Sequence, residues 1–147
     1  SLKDTTIQIG GDIKFSLPPV HLALYASFLI RKINNCKHKD KSTCEDCSDC
    51  YAEISKDKID ENLIKEWNKN YKKIRPSIDK QIRIPTNENV INFMPYLRQY
   101  ISKINDQIEN NVKNEKISMC YTIKALGSHH NKKYGIPLDK NRIDIKK

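Results

Sequence analysis

Four cysteines, Cys36, Cys44, Cys47 and Cys50, stand at the spacing C-x7-C-x2-C-x2-C, with His38 among them. Thiolates are soft ligands, and a two-residue gap lets neighbouring side chains bend toward one tetrahedral centre. Zinc is the first metal such a set implies. An iron–sulfur cluster comes second, because it also accepts four thiolates at tight spacing. Free thiols, or disulfides formed on oxidation, are the alternative. The set lacks the two well-separated CxxC knuckles of the strongest zinc signatures. Four ligands would fill the shell and no general base stands near, so the role expected of a metal is structural. It would pin a segment otherwise full of Lys, Asp and Ser. Cys120 lies far away in the chain and reads as a small packing residue.

The second cluster is the loop in "IKALGSHHNKKYGIPL", residues 123–138, where His129, His130, Lys132 and Lys133 fall between Gly127 and Gly135, with Lys124 just before them. Adjacent residues of a strand point to opposite faces, so His129 and His130 would need irregular backbone to share one metal. No Ser, Cys or Asp beside them repeats a nucleophile–base pattern. A metal-independent ribonuclease built on His and Lys is the chemical alternative. As a binding element the loop is better placed. Its cations suit the tip of a hairpin resting on a sugar–phosphate backbone. Arg98, Ser102, Lys103 and Asn105 on the helix predicted over 95–110 would supply further contacts to bases or phosphates, although Asp106 and Glu109 on that helix oppose them.

These residues sit in a chain of 147, long enough for one domain with a core and short for two. The hydrophobic set makes up 37% and charged residues 31%, a polar composition that still excludes a disordered chain. The net charge is +9, and residues 111–147 carry nine Lys/Arg against three Asp/Glu. Residues 36–60 are opposite in sign, with five Lys against seven Asp/Glu. A basic carboxy-terminal quarter suits a polyanion, whose condensed counterions are released on binding; a simple solubility charge is the bland counterpart. No apolar run has membrane-spanning length and no leader opens the chain, so a soluble cytoplasmic protein without membrane contact is expected. The start at Ser1 suggests the carboxy-terminal part of something longer.

Positioning falls to elements readable from periodicity. "TTIQIGGDIKF" predicts a tight hairpin turning at Gly10-Gly11. "SLPPVHLALYASFLIRKI" predicts a largely buried helix with its prolines in the first turn. After the cysteine segment, an insertion over 36–58, Ile59, Leu63, Trp67 and Tyr71 recur by fours and predict a helix over about 59–75. Ile78, Ile82 and Ile84 suggest a short strand in the linker between Pro76 and Pro85. Leu97, Ile101, Ile104 and Ile108 line one face of the clearest helix, with Pro95 expected in its first turn. Met119, Tyr121 and Ile123 alternate with Cys120, Thr122 and Lys124, as in a half-buried strand. Hairpin, three helices and hairpin is the order of an α+β winged helix-turn-helix, with the last hairpin as the wing.

The stretches "IQIGGDIKFSLPPVHLALYASFL", "YISKINDQI", "YTIKALG" and "YGIPLDKNRIDI" together resemble the carboxy-terminal, winged-helix-like region of the CRISPR-associated ring nuclease-like proteins of type III systems. The resemblance covers most of the chain and rests on hydrophobic pattern and turns. It implies a CARF domain, a sensor of cyclic oligoadenylate, ahead of Ser1, and a role in antiviral defence. Any nuclease activity would lie in that sensor, so no catalytic residue is carried over and whether this piece is itself an enzyme stays open. The wings of response regulators are a more distant likeness. The primary expectation is an accessory domain contacting nucleic acid. The alternative is a module that dimerises, or docks on the CARF domain, around an apolar patch near Trp67, Phe93 or Tyr96.

Overall fold

The structure, a computed structural model, describes residues 5–9, 12–35, 50–55, 58–75, 90–127, 132–138, 143 and 145, with the backbone alone for 90–94. It is an α+β arrangement of four helices and two small antiparallel sheets.

Strands β1 (Thr6–Ile9) and β2 (Ile13–Ser16) pair in register Ile7 with Phe15 and Ile9 with Ile13. Ile9 and Phe15 face the core while Gln8 and Lys14 face water, the period of two that the sequence carries. Helix α1 (Pro19–Asn35) starts with a proline in its first position, where a missing N–H costs nothing, and Leu22 N–H donates to the Pro18 carbonyl at 2.9 Å. Residues 21–28 of α1 are all buried, so this helix is the central rod.

Two strands that the sequence does not announce follow. β3 (Ala52–Ser55) lies within the stretch expected to be a cysteine-rich insertion, and it forms a short hairpin with β4 (Lys58–Ile59), which takes Ile59 from the start of the helix expected over 59–75. Ala52, Ile54 and Ile59 are buried in the main core, so this part of the stretch is structural framework. Helix α2 (Glu61–Ile74) is capped by Asp60, whose carboxylate accepts the Asn62 N–H at 2.9 Å and pairs with Arg31 of α1 at 3.0 Å. Its Leu63, Ile64 and Trp67 pack on α1.

Helix α3 (Val90–Asn111) is about 33 Å long at 1.5 Å per residue. Leu97, Ile101, Ile104 and Ile108 form its buried face, as their spacing requires. Pro95 is its sixth residue, later than the first-turn position expected, and it is exposed. Val112, Lys113 and Asn114 make a three-residue turn into helix α4 (Glu115–Tyr121). This helix replaces the strand expected from the alternation of Met119, Tyr121 and Ile123; strand pairing starts only at Lys124. The reason is local. The Asn114 side chain accepts from the N–H groups of Lys116 and Ile117, which starts a helix, and Ser118 and Thr122 then face inward at i, i+4 spacing.

β5 (Lys124–Leu126) and β6 (Lys133–Gly135) complete an antiparallel sheet in the order β4-β3-β6-β5. Gly135 lies against the ring of the buried Tyr51: a Cβ there would stand 2.7 Å from Tyr51 Cγ, so the close approach of β6 to this ring needs glycine. The strand suggested around Ile78, Ile82 and Ile84, and the Gly10-Gly11 turn, lie outside the described residues. Among the described residues no helix is long and apolar enough to cross a membrane.

Candidate nucleic-acid interface

One basic region of the fold is built from α4 and the β5–β6 hairpin. Residues 112–136 contain Lys113, Lys116, Lys124, Lys132 and Lys133 against a single acidic residue, Glu115. Helix α4 is held at both ends. Asn114 caps its start, and at its end the buried Tyr25 hydroxyl of α1 donates to the Tyr121 carbonyl at 2.7 Å. Burial, and secondarily the neighbouring Tyr121, push the Tyr25 phenol above its ordinary value of 10.0, which keeps it a proton donor. Between these anchors Lys116, Ile117 and Met119 are exposed, the last two by 42% and 47%.

Where the chain leaves α4, Ile123 is buried but belongs to no strand. Asn105 of α3 supplies what a strand partner would. Its carbonyl oxygen accepts the Ile123 N–H at 2.8 Å, and its amide donates to the Ile123 carbonyl at 2.9 Å. The hairpin therefore starts at a fixed height on α3. Opposite it, Ile54 N–H donates to the Lys132 carbonyl at 3.0 Å, and β3 takes β6 in register Ala52 with Tyr134 and Glu53 with Lys133.

Among the residues predicted to bind, Arg98, Ser102 and Lys103 are exposed on α3, while the Asn105 side chain is engaged by Ile123. Lys124, Lys132 and Lys133 flank the hairpin loop and are half-buried, and Glu53 stands across the ladder from Lys133. His129 and His130 lie outside the described residues. So do Cys36, Cys44 and Cys47; Cys50 is described and buried, and among the described residues no group of three or more His, Cys, Asp or Glu is placed to hold a metal. Cys120 is half-buried on α4, with its thiol 3.7 Å from the Lys116 carbonyl. Lys113, Lys116, Ile117 and Met119, which the sequence reading did not place at an interface, are all exposed, and the Asn114-Glu115 pair, a helix-capping signal, marks the helix that carries the last three.

Lys103 has a second effect, inward. His21 of α1 is buried and its ring meets that of Tyr100 at a tilt of 50°, with centroids 5.2 Å apart. Burial first, then the Lys103 charge, hold its imidazole below the ordinary 6.5. Above pH 6.5 it is neutral folded and unfolded alike. Below that value the unfolded chain takes up a proton the fold resists, so stability declines as the pH falls through 6.5 and stops declining below the depressed folded value. Urea unfolding between pH 7.5 and 5 should show this decline in wild type and a shallower one in His21→Phe. An equal slope in both would assign the pH dependence to other groups.

A cleft of about 140 Å³ between α1 and α2 is lined by Ser27, Arg31, Asn34, Asn62 and Glu66 among others. At about 30 Å³ per molecule it has room for four or five waters. Its guanidinium already pairs with Asp60, and no set of groups in it converges on a reacting atom. No family model, curated protein or solved structure matches the chain.

Proposed function

We propose that this domain is a winged helix that binds nucleic acid, with the β5–β6 hairpin as a basic wing. One observation carries the reading: a helix pair joined by a three-residue turn leads directly into a lysine-flanked hairpin whose strands run in the sheet order β3-β6-β5. That sequence of elements suits a protein that lays a helix into a groove and a hairpin on the neighbouring backbone. The excess of lysines over 112–136 supplies the phosphate attraction. The resemblance to CARF-containing CRISPR-associated proteins would set this contact in antiviral defence, with the sensor domain as a partner in the same chain.

The test is fluorescence anisotropy with labelled duplex DNA and RNA at two salt concentrations. Wild type should bind more weakly as salt rises. Lys132→Ala/Lys133→Ala should lose affinity by roughly tenfold for every sequence alike and lower the salt slope by about two, one for each phosphate contact removed. Absence of binding at low salt, or an unchanged slope, rejects the reading. The rival, a dimerisation or docking module, is favoured by the exposed Tyr96, Ile117 and Met119. A tight dimer in sedimentation together with no nucleic-acid binding selects it.

A further inference from the structure

We infer that α4, and not the longer α3, is the element that reads sequence, and that its ligand is the major groove of duplex DNA. This rests on the nucleic-acid reading above and names the part of the interface that discriminates.

The two helices present different chemistry. The exposed side of α3 offers Arg98 and Lys103 but also Asp106 and Glu109, whose carboxylates repel phosphates. Its Asn105, the side chain best suited to an adenine edge, is engaged by the Ile123 backbone. Helix α4 turns inward at Ser118 and Thr122. At 100° per residue Lys116 then points away from that side, with Met119 about 60° and Ile117 about 100° to either side of it and the half-buried Cys120 between Lys116 and Ile117. One turn earlier Lys113 is exposed in the connecting turn. A cation flanked by two exposed apolar side chains matches a groove floor: lysine donates to guanine O6 and N7, and apolar groups meet thymine methyls. Lys113 is placed for a flanking phosphate.

Rigidity favours the same helix. Discrimination between bases needs side chains held to a fraction of an ångström. The Asn114 cap fixes the start of α4, and the Tyr25 bond to Tyr121 and the Asn105 bonds to Ile123 tie its end to α1 and α3. Like any α-helix it is about 10–12 Å across with its side chains, which a major groove about 12 Å wide admits. Duplex DNA is selected over duplex RNA because the A-form major groove is too narrow to admit side chains on a helix.

The experiment is enrichment of a randomised duplex DNA pool by wild type, Lys116→Ala, Ile117→Ala/Met119→Ala, Arg98→Ala, and Lys132→Ala/Lys133→Ala, each first checked for an unchanged melting curve. Wild type should enrich a defined motif. The wing variant should bind weakly and keep the motif. The two α4 variants should lose discrimination at one or two positions by roughly 5- to 100-fold, the span of a base contact. A motif that survives both α4 variants but changes in Arg98→Ala moves the reading face to α3 and overturns the inference. Binding without any sequence preference also overturns it while leaving the proposed function standing; no binding at low salt removes both. A dimer that dissociates in Ile117→Ala/Met119→Ala assigns this patch to a second copy of the chain instead.

Discussion

Trp67→Ala should lower stability by about 3–5 kcal/mol, the range for deleting a large aromatic from a packed core. The side chain is wholly buried on α2 and is the largest in the core. Its indole N–H donates to the Val20 carbonyl at the start of α1 over 3.0 Å, and its ring meets Tyr100 of α3 edge-on, with centroids 5.8 Å apart. One side chain thus touches three helices that are far apart in sequence. Domains of this kind are held by only about 5–15 kcal/mol in all, so the variant should lose between about a fifth of its margin and the whole of it. At about 2.1 cal/mol/K per residue for the unfolding entropy, the melting temperature should fall by roughly 10–15 °C. Thermal unfolding followed by circular dichroism reads this directly. Trp67→Phe keeps a ring but forfeits the hydrogen bond and part of the contact with Tyr100, so it should fall between the two. A drop below about 3 °C for the alanine variant would mean that α1, α2 and α3 do not meet at this residue.

What made Trp67 visible in the sequence, its place among apolar residues spaced by fours, also made α1, α2 and the inner face of α3 visible. Local periodicity records which side of an element is buried. It fails where the partner is remote. β3 and β4 come from "AEISKDKI", short and polar, and β3 is a strand because Tyr134 and Lys133 pair with it from eighty residues away. It also fails where two periods coincide. Met119, Tyr121 and Ile123 fit a strand by alternation, yet the Asn114 cap and the inward Ser118 and Thr122 make the segment helical up to Tyr121. That one ambiguity left α4 out of the helices that the sequence predicts. The lysines beside the β5–β6 loop were legible because charge and glycine punctuation are written locally. The engagement of Asn105 was not, since nothing in an asparagine on a helix reveals whether its amide faces water or an unpaired backbone segment of the same chain.

Asn105→Ala should cost about 2–4 kcal/mol, and it is the sharpest test of how the hairpin is held. Ile123 is buried, lies outside the ladder that begins at Lys124, and has both of its backbone groups bonded to this one side chain, at 2.8 and 2.9 Å. Removing the amide strands a donor and an acceptor together. Each stranded buried group costs about 1–3 kcal/mol, and the half-buried position of Asn105 lets water recover part of the sum. Asn105→Asp keeps the acceptor for Ile123 N–H but sets a carboxylate oxygen against the Ile123 carbonyl, so it should also destabilise the fold. Asn111→Ala is the control: its amide bonds the Gln107 carbonyl on the exposed surface of the same helix, and its loss should change stability by no more than about 0.5 kcal/mol. Urea midpoints at constant slope measure the three. Amide exchange distinguishes local from global effects, because the Ile123 N–H should lose protection in Asn105→Ala while in Asn105→Asp it keeps its acceptor. If Asn105→Ala behaved like Asn111→Ala, the chain between α4 and β5 would have to be held by other contacts. The fixed position of the β5–β6 hairpin on α3 would then need a different cause.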